Sequence, residues 1–138
     1  MGCPFSVRNG TYRMILDFHE HNGEKVAEIR SGGIVIQSVQ DMLDALSSAY
    51  GGGADSVILH QAQLHSDFFR LKTRFAGEIL QKAVTYHMRI AIIGDWNRIE
   101  SENLTAFIRE SNRGNQIFFV ADLDEAKSRL APKPHERT

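Results

Sequence analysis

Apolar and polar residues alternate near the start of the chain, which is the pattern of a β-strand buried on one face. Between residues 11 and 18, every second position is apolar: Tyr12, Met14, Leu16 and Phe18. Asn22-Gly23 follows, and both residues tolerate the positive φ angles of a two-residue turn. Residues 25 to 29 resume as a second apolar strand, so the pattern predicts a β-hairpin.

Beyond the hairpin, the apolar period changes from two to 3.6, which is the period of an α-helix. Three amphipathic helices are predicted to begin at Ser38, Ser101 and Asp122, because these side chains can accept hydrogen bonds from the first helical turn. A fourth helix is predicted from Ser66 to about Tyr86. Short apolar strands separate the helices: residues 56–60, 89–93 and 116–120.

Buried strands that alternate with amphipathic helices predict an α/β fold with a mostly parallel sheet and helices packed on it. The N-terminal β-hairpin precedes these alternating helix/strand units. We expect a single domain over residues 11–130. Residues 1–10 lack periodicity and are predicted to be a flexible arm, and the proline-broken residues 131–138 are predicted to be a disordered tail.

The helix predicted from Ser66 carries an apolar stripe wide enough to lie across a sheet. Phe68, Phe75 and Ile79 fall at helical spacing in it, and we interpret them as core residues. Gly77 lies in the middle of this helix, where glycine is less favourable than alanine by about 1 kcal/mol. We therefore expect the backbone of a neighbouring element to approach Gly77 closely.

Composition and charge narrow the classes of function. A formal net charge of −1 argues against nucleic acid as a partner, because such binding requires a basic surface. Cys3 is the single cysteine, which excludes an internal disulfide and is typical of a reducing compartment. The sequence has neither an apolar run that spans a bilayer nor a secretion signal. We therefore expect a cytoplasmic protein that does not bind membranes.

Polar residues follow the predicted strands, and ligands of parallel sheets bind at the carboxyl ends of strands. The residues expected at this strand-end surface are His60, Gln61, Asp95, Trp96 and Asp122. His60 with Asp67 and Asp95 would be the candidate cluster of a small enzyme or small-ligand-binding protein. The spacing of the histidines matches no metal motif, so the sequence predicts no metal, no cofactor and no catalytic residue.

Ser66 and Asp67 have two interpretations. Either side chain can cap the predicted helix by accepting a hydrogen bond from its free amides. The same amides and the positive end of the helix dipole can hold a phosphate or another anion. The pair is therefore a candidate anion or switch site, with the ordinary cap as the alternative.

Three stretches carry a family resemblance: HSDFFRLKTRFAGEILQK, RIAIIGDW and ESNRGNQIFFVADLDEA. Together they resemble a family of small bacterial proteins known as a domain of unknown function, over roughly residues 11 to 130. A more distant resemblance is to the STAS domain of anti-sigma-factor antagonists and sulfate-transporter tails. That resemblance implies a phosphorylatable hydroxyl within residues 64–67, where Ser66 is the only one, although the glycine of the STAS switch pattern is replaced by Phe68.

The STAS resemblance and the lack of a catalytic signature together predict a non-enzymatic regulatory module that acts through contacts with a protein partner. The first alternative is a small enzyme or ligand-binding protein that uses the strand-end surface. The second is a structural homodimer in which the edge of the N-terminal hairpin pairs across a twofold axis.

Overall fold

The computed structural model describes residues 5–9, 12–31, 33–70 and 74–131. Within these residues six strands form one sheet: β1 Phe5–Asn9, β2 Tyr12–His21, β3 Glu24–Arg30, β4 Ser56–His60, β5 Arg89–Ile93 and β6 Ile117–Val120. The α-helices of the same residues are α1 Val39–Gly51, α2 Phe75–Thr85, α3 Glu102–Arg113 and α4 Leu123–Leu130. The predicted α/β fold is confirmed.

The strands lie in the sheet in the order in which they occur along the chain. β2 is antiparallel to both β1 and β3, whereas β3, β4, β5 and β6 run parallel to one another. A helix connects each parallel pair. Because right-handed crossovers between neighbouring strands place their helices on the same side, α1, α2 and α3 share one face of the sheet.

The turn between β2 and β3 has the geometry that its sequence predicts. Asn22 has a φ of 51° and Gly23 a φ of 84°, which are the positive angles of a tight two-residue hairpin turn. This turn sets the pairing of the strands, so that Asp17 lies opposite Glu28. The predicted hairpin is confirmed.

The prediction of a flexible arm over residues 1–10 is wrong for Phe5–Asn9. These residues form β1, which pairs with β2 from Phe5 opposite Leu16 to Asn9 opposite Tyr12. A short edge strand is held by backbone hydrogen bonds, so it needs no apolar alternation to form. Since β1 covers the outer edge of β2, a homodimer formed by edge pairing would have to use β1 instead of the hairpin.

The sequence predicts a disordered tail over residues 131–138, which follow α4. Its first residue, Ala131, is buried, and the Ala131 carbonyl accepts a hydrogen bond of 2.8 Å from the side chain of Asn22. The prediction is therefore wrong for Ala131. Residues 132–138 lie outside the described part of the chain.

One face of the sheet, which we call the helical face, is covered by α1, α2 and α3. The strand residues of this face are apolar and buried: Leu16, Ala27, Ile29, Val57, Leu59, Ile90, Ile92, Ile117 and Phe119. Aromatic rings join them, with the ring centroid of Phe119 lying 5.0 Å from Trp96 and 6.3 Å from Phe68. This face contains the main core.

The opposite face, which we call the second face, carries a smaller apolar cluster. Ala126 and Leu130 of α4 pack there against Ile58, Phe118 and Val120. α4 contacts β5 and β6, and the polar residues of β2, β3 and β4 lie farther along the same face. The predicted cap of α4 is confirmed, since Asp122 accepts a hydrogen bond of 2.8 Å from the amide of Glu125.

The prediction of one long helix from Ser66 to Tyr86 is wrong. Ser66–Phe69 is a short 3₁₀-helix, and α2 begins only at Phe75, after Arg74 with a φ of 63°. A residue with a left-handed backbone cannot continue a right-handed helix, so the two pieces are separate. Phe68, Phe75 and Ile79 are nevertheless buried as predicted.

Gly77 differs from its prediction. It is exposed in α2, and a Cβ atom placed on it would meet no atom of the described residues within 4 Å. The expected close approach of a neighbouring backbone is therefore absent at this residue.

Candidate functional site

Four polar side chains of the second face converge on one point, and we call them the carboxylate–histidine cluster: Asp17, His19, Glu28 and His60. Side chains two residues apart on a strand share a face, which places Asp17 beside His19 on β2. The hairpin register places Glu28 of β3 directly opposite Asp17. His60 comes from β4, the next strand of the sheet.

Glu28 lies at the centre of the cluster and binds a histidine with each carboxylate oxygen. Its Oε1 lies 2.9 Å from Nε2 of His19, and its Oε2 lies 2.8 Å from Nε2 of His60. Asp17 Oδ2 lies 3.9 Å from Nε2 of His19 and 3.3 Å from Nη1 of Arg30. The two carboxylates therefore share His19 between them.

The cluster is partly shielded from solvent. The side chain of Glu28 is 12 % exposed, against 23 % for His19 and 37 % for His60. Burial alone would raise the pKa of Glu28. The hydrogen bonds from His60 and His19, together with their charge interactions, outweigh burial and hold the pKa of Glu28 below its usual value of 4.5.

A buried glutamine fixes the strand end that carries His60. Gln63 is 5 % exposed, and both ends of its amide are used. Its Oε1 accepts a hydrogen bond of 3.0 Å from the backbone amide of His60, and its Nε2 donates one of 2.8 Å to the carbonyl of Ile29 on β3. Gln63 thus ties the end of β4 to β3, next to Glu28.

The donor atoms of the cluster are of the kinds that bind metal ions. One ligand atom each from Asp17, His19 and Glu28 lies within 4.8 Å of the other two. Imidazole nitrogen and carboxylate oxygen are ligands of Zn²⁺ and other first-row transition metals.

The residues predicted for the strand-end surface do not all come together. Gln61, Asp95 and Trp96 are neighbours, since Gln61 Oε1 accepts a hydrogen bond of 3.2 Å from the amide of Asp95. A Cβ atom on Gly94 would lie 2.5 Å from that oxygen and 2.8 Å from the Trp96 ring. His60 instead turns to the second face and binds Glu28.

Trp96 and Asp122 both have structural partners within the fold. The indole nitrogen of Trp96 donates to the carbonyl of Val120 over 2.9 Å, and its ring packs on Phe119. Asp122 caps α4, and the exposed Asp95 carboxylate pairs with Arg98 over 2.9 Å. A binding role for these residues stays a prediction.

Ser66 is exposed and is the first residue of the 3₁₀-helix Ser66–Phe69, which also includes Asp67. Four residues form about one turn, so few peptide dipoles add up at its start. Ser66 and Asp67 therefore do not lie at the start of a long helix, whose dipole would favour an anion. The switch itself stays a prediction.

A surface groove with a volume of about 860 Å³ lies between α1 and the end of α2. Its lining includes Leu43, Asp44, Tyr50, Asp55, Tyr86 and His87. Two of these aromatic side chains are prominent in solvent, with Tyr50 70 % and Tyr86 56 % exposed. Asp55 directly precedes β4, so the groove is at the end of the sheet opposite to the predicted strand-end surface.

Sequence reasoning missed Asp17, Glu28 and the role of His19, although a signal for them was present. A two-residue turn at Asn22-Gly23 pairs residues whose numbers sum to 45, and this rule places Asp17 opposite Glu28. The alternation along β2 then adds His19 to the same face. His60 could not be assigned in this way, because its position depends on the pairing of β3 with β4.

The chain belongs to the family described as domain of unknown function (DUF4180), whose model matches residues 21–130. This confirms the resemblance to a domain-of-unknown-function family, and no relation to STAS domains was found. No curated protein and no solved structure matches the chain. Among the residues that the structure describes, no helix has the length and apolar character required to cross a membrane.

Proposed function

We propose that the protein is a non-enzymatic regulatory module that binds a protein partner through the groove between α1 and α2. The observation that carries the proposal is the exposure of Tyr50 and Tyr86 beside a groove of about 860 Å³. Tyrosine is enriched at protein interfaces, because its ring is large and apolar while its hydroxyl can remain hydrated. Val84, 47 % exposed, adds apolar surface on α2.

The charge of the residues that line the groove indicates the kind of partner that it binds. Asp44 and Asp55 line the groove, and none of the described residues that line it is a lysine or an arginine. Complementary charge directs the choice of partner and speeds association. The occupant is therefore a segment of another protein that carries an apolar or aromatic anchor with lysine or arginine beside it.

A STAS-like regulatory role is part of the same proposal. The order of elements supports it, since STAS domains also begin with strands and continue with alternating strands and helices. In this proposal Ser66, exposed at the carboxyl side of β4, is the position at which phosphorylation alters partner binding. Fold likeness alone does not carry function, so partner binding and the Ser66 switch need separate tests.

Partner binding is tested with a peptide library displayed against the purified full-length protein. We expect enrichment of sequences that combine lysine or arginine with an aromatic or aliphatic residue, and NMR shift changes at Tyr50, Tyr86 and His87 on titration. The double variant Tyr50→Ala/Tyr86→Ala should weaken binding at least about tenfold, since hot-spot residues contribute more than about 1.4 kcal/mol.

Ile34→Ala is the matched control, because Ile34 is another exposed apolar residue, at 36 %, and is not part of the groove lining. It should leave peptide affinity unchanged. Shift changes confined to other surfaces, or equal losses in the control and the double variant, would contradict the proposal. Failure to enrich any basic, apolar sequence would contradict it as well.

The Ser66 switch is tested with the enriched peptide. Ser66→Asp introduces a negative charge, whereas Ser66→Ala removes the hydroxyl with little change in volume. We expect the two variants to differ in peptide affinity. Equal affinity of both variants and the wild type would exclude the switch and leave the groove proposal intact.

A second candidate function is the binding of a small ligand, and the carboxylate–histidine cluster favours it. Glu28 is largely buried and joins histidines of two different strands. Perturbed titratable groups of this kind concentrate at functional sites.

A further inference from the structure

We propose that the carboxylate–histidine cluster binds a divalent first-row transition-metal ion. Asp17 Oδ2, His19 Nε2 and Glu28 Oε1 are the ligands, and His60 orients the Glu28 carboxylate from its other oxygen. The proposal is independent of the groove, since it uses the second face of the sheet. It also departs from the sequence prediction of no metal, which considered spacing along the chain, whereas these ligands come from two paired strands.

The distances between the ligand atoms fit one ion. Two ligands bound tetrahedrally at about 2.1 Å from a metal are about 3.4 Å apart. Glu28 Oε1 and His19 Nε2 are 2.9 Å apart, and His19 Nε2 and Asp17 Oδ2 are 3.9 Å apart. Shifts of about half an ångström would bring all three atoms to bonding distance, with the ion in place of the proton shared by His19 and Glu28.

The arrangement of charge also points to a cation. Asp17 and Glu28 are directly opposite on neighbouring strands, and like charges in such a pair destabilise a sheet. Arg30 offsets part of this from the exposed side, because its side chain is 64 % exposed and its Nη1 is 3.3 Å from Asp17 Oδ2. An ion held between the two carboxylates would remove the repulsion more completely.

His60 supplies the outer support that metal sites require. Ligand carboxylates in metal sites are held by further hydrogen bonds, and loss of such a partner lowers metal affinity about 10–100-fold. His60 Nε2 is 2.8 Å from Glu28 Oε2, on the oxygen that does not face His19. Gln63 fixes the backbone of His60 in turn, so the carboxylate is held in a defined orientation.

The chemical class of the ion follows from the donor set. One imidazole and two carboxylates suit Zn²⁺, Mn²⁺ or Fe²⁺, whereas Mg²⁺ prefers an octahedron of oxygens and gives up its water reluctantly. Three protein ligands leave a position open for water or a small anion, as in catalytic zinc sites. We therefore expect Zn²⁺ to bind more tightly than Mg²⁺.

The test is calorimetric titration of the chelator-treated full-length protein with Zn²⁺, with Mn²⁺ and Mg²⁺ in parallel. We expect one Zn²⁺ per chain and perturbed NMR signals from the His19 ring. Asp17→Asn and His19→Ala should each weaken Zn²⁺ binding by more than about tenfold, and His60→Gln by about tenfold. Arg30→Gln should strengthen it, because it removes a positive charge beside the site.

His21→Ala is the matched control, since His21 is two residues beyond His19 on the same strand and the same face. It should bind Zn²⁺ like the wild type. Absence of Zn²⁺ binding by the folded wild-type protein, or an equal loss in His21→Ala, would overturn the proposal. Circular dichroism of each variant separates loss of the site from loss of the fold. If His19→Ala does not fold, Asp17→Asn still tests the site, because it preserves the volume of the side chain.

Discussion

The two faces of the sheet are built from the same strands, yet they differ in what covers them and in what they carry. The helical face is covered by α1, α2 and α3 and is apolar along β2 to β6. On the second face α4 packs on β5 and β6, and polar residues occupy the part formed by β2, β3 and β4. The difference shows that the stability of this fold and its candidate chemistry are on opposite sides of one sheet.

This separation has a physical reason. Three helices on one side bury apolar area at about 25 cal/mol per Å², and a charged group there would lose its hydration without compensation. Glu28 is tolerated on the second face because two histidines bond to it and its surroundings are partly hydrated. We therefore expect substitutions on the helical face to change stability most, whereas those in the cluster should change stability less and should also alter binding.

The largest loss of stability is expected from substitution of a phenylalanine of β6. Two adjacent phenylalanines there point to opposite faces, so their substitution compares the two faces directly. Phe119 points to the helical face and contacts the rings of Phe68, Trp96 and Phe107, whereas Phe118 points to the second face and meets Arg129 of α4. Both are buried. Phe119→Ala should lower the free energy of unfolding by about 3–5 kcal/mol.

Phe118→Ala is the matched comparison and should lower the free energy of unfolding less. One short helix can close over the space left by the ring more readily than three packed helices. Urea unfolding followed by circular dichroism measures both values. A larger loss for Phe118→Ala would show that the second face contributes at least as much to stability.

The second-largest loss of stability is expected from substitution of Glu28, at the centre of the carboxylate–histidine cluster. Glu28→Gln keeps the shape of the side chain but replaces one acceptor oxygen with a donor, so one of the two histidine bonds is lost. Hydrogen bonds to charged groups contribute about 1.5–3 kcal/mol, and relief of the repulsion from Asp17 offsets part of this. We expect Glu28→Gln to lower the free energy of unfolding by about 1–2 kcal/mol at neutral pH. Glu20→Gln, at an exposed position of β2, is the control and should change it by less than about 0.5 kcal/mol.

The pH dependence of the free energy of unfolding provides a second test of Glu28. In the folded protein the pKa of Glu28 is below its usual value of 4.5, as a result of His60 and His19, with Asp17 and Arg30 also nearby. A lowered carboxyl pKa contributes stability that is complete above the usual value and is lost as the pH falls through the folded value.

The difference in unfolding free energy between wild type and Glu28→Gln should therefore shrink as the pH falls below about 4.5 and the Glu28 carboxylate of the folded protein becomes protonated. Unfolding in urea with a chelator present, at a series of pH values, measures this difference. A difference that widens as the pH falls below about 4.5 would contradict the lowered pKa of Glu28.

The smallest effect is expected on the outer surface of the helical layer. Gly77 is exposed in α2, and within the described part of the chain an added Cβ would meet no atom closer than 4 Å. Gly77→Ala should therefore raise the free energy of unfolding by up to about 1 kcal/mol. Gly94→Ala is the contrasting variant and should be destabilising, because its Cβ would collide with Gln61 and Trp96. A destabilised Gly77→Ala protein would mean that α2 packs differently.

The interruption between Phe69 and Phe75 illustrates a limit of pattern reasoning. The sequence there contains neither proline nor glycine, so nothing marks the left-handed backbone of Arg74. The apolar spacing alone fits a continuous helix, and Phe68 reaches the core from the 3₁₀-helix as it would have from an α-helix. Burial was therefore predictable at this segment, whereas backbone conformation was not.

The features that depend on neighbours along the chain could be predicted from the sequence alone. Helix caps at Ser38, Ser101 and Asp122, the turn at Asn22-Gly23 and the apolar faces of the strands all arise from local hydrogen bonding and periodicity. The tertiary structure alone decided that β1 pairs with β2 and that His60 meets Glu28 across 32 residues of chain. Such contacts depend on which strands become neighbours, and that choice is made by packing of the whole sheet instead of by any local pattern.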